Sequence, residues 1–192
     1  MTESSLTTSV GATAGKYLTF NLAQEVYGIR VSLVREIVAI NAITAVPQTP
    51  RFIKGVMNLR GKIVPLVDLR LKFKMESAEY SRETCVIVVE VSGTRGKMLI
   101  GVIVDSVRDV LDVTTTEISE VPSFGIKVDT SFLSGLANAK NELILLMDIA
   151  HVLSHEELIA VEAAPAAAAE LNQDTFDSIQ QGEALDEQES IK

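Results

Sequence analysis

Apolar and polar positions alternate in short runs along most of this chain. KYLTFNL (16–22), KIVPLVDL (62–69), TCVIVVEV (84–91), KMLIGVIV (97–104) and ELILLMDI (142–149) are rich in branched apolar residues and bounded by turn formers. Alternation, or a short continuous apolar run, suits strands buried on one or both faces. Pro65 inside the second run has no donor for a ladder and predicts an edge strand or a bulge. VSLVREIV (31–38) fits a helical turn and a strand equally, and its period does not separate them.

The chain also resembles itself. GIRVSLVREI (28–37) aligns with GVIVDSVRDV (101–110) at an offset of 73, and FIKGVMNLRGKIVPLVDL (52–69) aligns without a gap with FLSGLANAKNELILLMDI (132–149) at an offset of 80. Phe, Gly, Asn and Asp recur at identical spacing in the second pair. The seven extra residues of the second copy fall near EVPSFGIKVD (120–129). Each copy holds about five short strands, which predicts a mostly β fold of two five-stranded barrels packed together. Closure would remove exposed sheet edges, and a seam between two barrels is a natural binding site. Copy one has Arg60-Gly61 where copy two has Lys140-Asn141, a divergence that argues against a purely structural arginine.

After the second copy, LSHEELIAVEAA (153–164) reads as a short C-terminal helix. Ser154 and Glu157 have capping-box spacing, in which each side chain satisfies the other residue's free backbone donor. The remainder is low in complexity and then acidic, so a flexible tail is expected.

Charge follows this division. From Glu156 onward there are ten acids and one base, Lys192; before it, acids and bases number sixteen each. The body is neutral and the tail carries the net charge of −9. Arg51, Lys54, Arg60, Lys62, Arg70, Lys72 and Lys74 cluster with only Asp68 against them, a solvated face or a docking strip for an acidic protein. Sparse aromatics and the absence of Trp argue against nucleic acid. Cys85 is the single cysteine and suits a small buried apolar residue in a reducing compartment. No basic start with an apolar stretch marks a signal peptide, and no apolar run is long enough for a membrane span. These features predict a soluble cytoplasmic protein without membrane insertion.

Catalytic patterns fail on spacing. Gly55 and Gly61 are too far apart for a phosphate-binding loop, and Ile63 stands where its magnesium hydroxyl would be. His151 and His155 are four apart, but Ser154 between them reads as a cap, and position 152 lacks the Glu of a zinc hydrolase. No nucleophile has an evident base. The sequence therefore predicts no enzyme, no cofactor and no metal. Glu36 and Arg60 remain, each beside apolar residues. A salt bridge between them would offset the cost of a half-buried guanidinium, and a surface role is compatible with it.

YGIRVSLVREI, VPQTPRFIKGVMNLRGKIVPLVDLRLKF and GVIVDSVRDVLDV resemble the CheW family of chemotaxis coupling proteins, from about Lys16 to Leu158. The resemblance implies two SH3-like barrels, roughly 16–80 and 81–150, with strands exchanged between them; the sequence outside them reads as a disordered 1–15 and an acidic flexible tail over 159–192, which departs from the family's short members. It implies a non-catalytic adaptor between the cytoplasmic tips of chemoreceptors and the regulatory domain of the histidine kinase CheA, at membrane-associated receptor arrays. Such a protein is a monomer in solution and forms rings in arrays. A scaffold of a non-motility pathway is the alternative within the family, and a small-ligand-binding barrel the alternative outside it.

Carried onto this sequence, the receptor contact falls on Arg60, with Glu36 as its charge partner, Val34, Val107 and Val110 as the apolar side of the groove, and Gly55 supporting the turn that presents the arginine. Kinase contacts fall on Lys54 and Ile63, and a ring contact on Phe124. Ser119 stands where family members can carry a base. LNQDTFDSIQQG (171–182) is similar to the N-terminal peptide of the flagellar switch protein FliM, which implies that Leu171, Gln173, Phe176, Asp177 and Ile179 bind phosphorylated CheY; an uncommitted acidic tail is the other reading.

Overall fold

Eleven strands form among the described residues, including every alternating run named above. A computed structural model describes residues 11–122 and 130–170. In chain order the strands are β1 (Gly15–Leu22), β2 (Glu25–Arg30), β3 (Val34–Ala39), β4 (Ile53–Leu59), β5 (Lys62–Asp68), β6 (Cys85–Gly93), β7 (Gly96–Val104), β8 (Ser106–Val113), β9 (Ile118–Ser119), β10 (Leu133–Ala139) and β11 (Glu142–Met147). The ambiguous VSLVREIV is both things in turn, a 3-10 turn over Val31–Leu33 followed by β3.

The strands form two sheets, ordered β8-β1-β2-β11-β10-β9 and β3-β6-β7-β5-β4. The two copies of the repeat do not fold separately. The β1–β2 hairpin of copy one pairs with β8 and, in parallel, with β11 of copy two. The β6–β7 hairpin of copy two pairs with β3 and, in parallel, with β5 of copy one. Register repeats as well: Gly28 is opposite Leu146 and Gly101 opposite Leu66, the same two positions under the offsets of 73 and 80. A short turn can join antiparallel strands, whereas a parallel partner must arrive by a long crossover. Here the other copy supplies it.

The ladders stay open, with β8 and β9 at the ends of one sheet and β3 and β4 at the ends of the other. This corrects the expectation of hydrogen-bonded closure, and β9 makes one sheet six-stranded rather than five. Each sheet still curls around its own apolar core, in the SH3-like manner. Tyr17, Leu111, Ile144 and Leu146 belong to one core, and Met57, Leu66, Val88 and Ile103 to the other. A larger core, including Phe20, Ile29, Val67, Ile87 and Val102, draws on both sheets. Pro65 is not on an edge strand, since β5 lies between β4 and β7. It pairs with Val56, and the parallel ladder to β7 begins only at Leu66, so its missing donor costs no ladder bond.

The capping box forms: the Ser154 N–H donates to Glu157 at 2.7 Å and the Glu157 N–H donates to Ser154 Oγ at 3.2 Å. It starts α2 (155–170), which runs well into the segment expected to be tail from 159. Alanine is the strongest helix former, and Leu158, Val161, Ala164 and Ala168 make a stripe packed against the large core. The low-complexity run is thus a docked helix face, even with Pro165 inside it removing one backbone donor. At the other end, the start expected to be disordered through residue 15 is already engaged at Ala12, whose N–H donates to the Ser134 carbonyl at 2.8 Å.

Candidate partner-binding surface

Arg60 and Gly61 form the two-residue turn between β4 and β5. Both have positive φ, 51° and 85°, as do their counterparts Lys140 and Asn141 at 53° and 61°. Tight hairpin turns that match strand twist require this at both positions. Asn58 Oδ1 accepts the Gly61 N–H at 2.8 Å and holds the turn. The turn projects Arg60 outward with 83% of its side chain exposed, so the guanidinium is not half-buried as its apolar neighbours suggested.

The expected salt bridge is present, with Arg60 Nη2 3.1 Å from Glu36 Oε2. It crosses from the β4–β5 turn to β3, the opposite edge of the open ladder. In the other sheet Lys140 reaches Asp109 at 3.9 Å, at the equivalent positions. Both copies therefore link turn and edge by charge, and their divergence is narrower than the aligned residues implied. What distinguishes copy one is arginine's planar, five-donor fork in place of an ammonium.

The residues that recur between the copies have structural duties. The Asp68 and Asp148 N–H groups donate to the carbonyls of Phe52 and Phe132, each at 2.8 Å. The Asp68 carboxylate caps α1 (Leu69–Lys72), and that of Asp148 caps the 3-10 turn Ile149–His151. Gly55 and Gly135 sit at matching bulges. Gly55 has φ 135°, and a Cβ there would stand 2.1 Å from the Thr44 carbonyl oxygen. It thus admits the strand-like Thr44 segment near the end of β4 away from Arg60, and does not shape the Arg60 turn.

The other sequence-derived positions are distributed over both sheets. Val34 and Val107, equivalent under the repeat, are half-buried and pack against the large core. Val110 on β8 is 51% exposed, and its counterpart Ile37, beside Glu36 on β3, is 44% exposed. Ile37 was absent from the sequence-derived set, although the repeat alignment pairs it with Val110. Lys54 is half-buried on the edge strand β4, and Ile63 is exposed on β5 opposite Asn58. Leu143, the counterpart of Ile63, is exposed on β11 and was likewise not anticipated. Ser119 is exposed on β9. Phe124 and the tail residues Leu171, Gln173, Phe176, Asp177 and Ile179 lie outside the described residues.

Perturbed ionisations trace to ion pairs, caps and burial. Burial lifts the Glu157 carboxyl, but the Lys72 ammonium at 2.5 Å and the Ser154 cap outweigh it and hold the group below its usual range. Arg70 makes a two-pronged bond to Asp105 at 2.7 and 2.6 Å, which raises its already high pKa. Burial pushes the Cys85 thiol up. His151 bonds Asp148 at 2.8 Å in the 3-10 turn, whereas His155 opens α2, so the two histidines do not share a helix. Among the described residues no cluster of His, Cys, Asp or Glu has the makings of a metal site. The surface offers a charged fork, exposed branched side chains and half-buried apolar strips, which suit contact with another protein.

Known proteins agree with this architecture. A family model described as CheW-like domain matches residues 16–157. The chemotaxis protein CheW of Klebsiella aerogenes is 40% identical over 153 residues, covering 79% of this chain and 90% of that protein. That of Rhizobium meliloti is 29% identical over 140 residues, covering 73% and 88%. The crystal structure of the scaffolding protein TtCheW from Thermoanaerobacter tengcongensis matches with a TM-score of 0.67 at 33% identity, over 76% of this chain and 97% of that one. With the strand-exchanged repeat, the matched span and these relatives in agreement, the chain belongs to the CheW family of chemotaxis scaffold proteins.

Proposed function

We propose that this chain is a non-catalytic adaptor that couples the cytoplasmic tips of chemoreceptors to the regulatory domain of the kinase CheA, in the cytoplasm at membrane-associated arrays. The observation that carries the reading is the exposed Arg60 fork, held on a tight turn by Asn58 and steered by Glu36, with exposed Ile37 and half-buried Val34 on β3, the strand that carries Glu36. An amphipathic helix laid against such a surface would bury its apolar stripe while an acidic or amide side chain takes the guanidinium. Half-buried Lys54 and exposed Ile63 lie on the β4–β5 hairpin that carries Arg60, which leaves room for a second partner on the same sheet. No helix among the described residues is long and apolar enough to cross a membrane, and the proposed route to an array is through these protein contacts. Several modest contacts of this kind become firm when repeated in a lattice.

The test is capture of a receptor hairpin fragment and of a CheA regulatory domain by the full chain. Arg60→His should weaken receptor capture and leave kinase capture intact. Equal receptor capture by the variant and the parent would remove Arg60 from the receptor contact.

A further inference from the structure

A groove of about 710 Å³ lies between the second sheet and α2. Ile63, Met98 and Leu99 line it from the strands, and Ile159, Ala163 and Ala166 from the helix. Ile63 and Ile159 are 44% and 49% exposed, so the groove presents apolar surface to water. Lys62, Arg95 and Lys97 also line it. Lys97 reaches Glu90 at 2.8 Å, while Lys62 and Arg95 are in no ion pair among the described residues. The acid inside the groove, Glu162, is committed to the β6–β7 turn. It accepts the Thr94 N–H at 2.5 Å and the Thr94 hydroxyl, and these bonds hold its carboxyl below its ordinary range. With Glu162 engaged by Thr94 and Lys97 turned to Glu90, Lys62 and Arg95 leave the groove rim positive beside an apolar floor.

The chain leaves this groove directly into residues of opposite character. Ala166, on the groove wall, is one helical turn before the last described residue, Glu170. Residues 171–192 carry six acids and a single base, with Phe176 and Ile179 spaced three apart between Asp174 and Asp177 and the later acids. We propose that the segment 171–182 docks back into this groove, with Phe176 and Ile179 over Ile63 and Met98, and Asp174 and Asp177 facing Lys62, Arg95 and Lys97. Tethering at the groove's own wall raises the effective concentration to the millimolar range, on the order of 1 mM or more, so even a weak contact is populated. The docked segment covers Ile63. On the kinase reading of Ile63 given above, and only on that reading, it competes with the kinase; the docking itself does not depend on it.

The chain contains no tryptophan, so Phe176→Trp in the full chain makes a unique fluorophore. Docking predicts blue-shifted emission and protection from acrylamide, both unchanged on dilution. The combined charge reversal Lys62→Glu, Arg95→Glu and Lys97→Glu should abolish both, and Met98→Asp should do the same. High salt should weaken them, as screening shortens from ~10 Å at 0.1 M to ~3 Å at 1 M. Fully solvated emission in the Phe176→Trp parent overturns the proposal. So does a blue shift that survives the charge reversal with the β-sheet signal intact, which would place the segment elsewhere. A blue shift that disappears on dilution would mean that a second copy provides the groove, and overturns docking within one chain. Kinase capture measured on the same proteins separates a failure of docking from a failure of the kinase reading.

Discussion

Arg60 and Glu36 meet at 3.1 Å between the β4–β5 turn and the opposite edge of the same open sheet, and Lys140 and Asp109 repeat the link in the other sheet. A charge pair that recurs at equivalent positions belongs first to the fold. Its energy is small all the same. Arg60 is 83% exposed, and exposed pairs contribute about 0–1 kcal/mol. Arg60→His should therefore leave the melting temperature nearly unchanged while receptor capture falls. A large loss of thermal stability with unchanged capture would make the arginine purely structural.

Gly55 and Gly61 separate fold from surface on the same hairpin. Any side chain at 55 collides with the Thr44 carbonyl, so Gly55→Ala should destabilise the chain severely, by about 3 kcal/mol or more. A Cβ at 61 meets nothing within 4 Å, and only its φ of 85° resists substitution. Gly61→Ala should cost about 1–2 kcal/mol. Denaturant melts of the two variants check the ranking, and similar losses would refute it.

Lys72 and Glu157 fasten α2 to the body of the protein at 2.5 Å, with the two side chains 17% and 25% exposed. Glu157→Gln should cost about 1–3 kcal/mol, as for hydrogen bonds to charged groups. Because the folded-state carboxyl is held below its unfolded value, its contribution is present above the unfolded pKa and is lost as pH falls through the folded one. Melting temperature followed downward from neutral pH should fall less steeply in Glu157→Gln than in the parent. Parallel curves would contradict this.

Tyr80 should titrate late. Burial, the charge of Asp68 and a 3.3 Å bond from its hydroxyl to Asp68 push the phenol up to about 12. With the folded value raised, this contribution is complete below the ordinary tyrosine range and fades as pH climbs toward 12. Ultraviolet titration should show Tyr80 titrating late, alongside Tyr27, which burial also raises, and Asp68→Asn should bring Tyr80 down while leaving Tyr27 late. A Tyr80 signal in the ordinary range would refute the Asp68 contact.

Most local features were legible in the sequence because backbone geometry alone dictates them. Period-two runs became strands, and Ser154 with Glu157 became a cap. The recurring Phe, Gly, Asn and Asp marked a repeat whose structural duties include Asp68 and Asp148 at helix starts. The pairing of Arg60 with Glu36 was legible as two charges beside apolar runs. Ile37 was not singled out, since nothing in its own neighbourhood distinguishes it from a core position. The 165–170 segment was read as low-complexity tail for the opposite reason: alanine-rich composition looks featureless until a core exists for its stripe to meet.

The sequence by itself determined strand content, turn chemistry, the internal repeat and the family. Tertiary structure alone decided which hairpins the copies trade and in what register, that the ladders remain open, that Arg60 is exposed, and that α2 walls a positive apolar groove. The division is physical. Strand period, positive-φ turns and caps depend on residues a few positions apart, whereas strand partnership and exposure depend on contacts between residues tens of positions apart, such as Gly28 with Leu146 and Gly101 with Leu66.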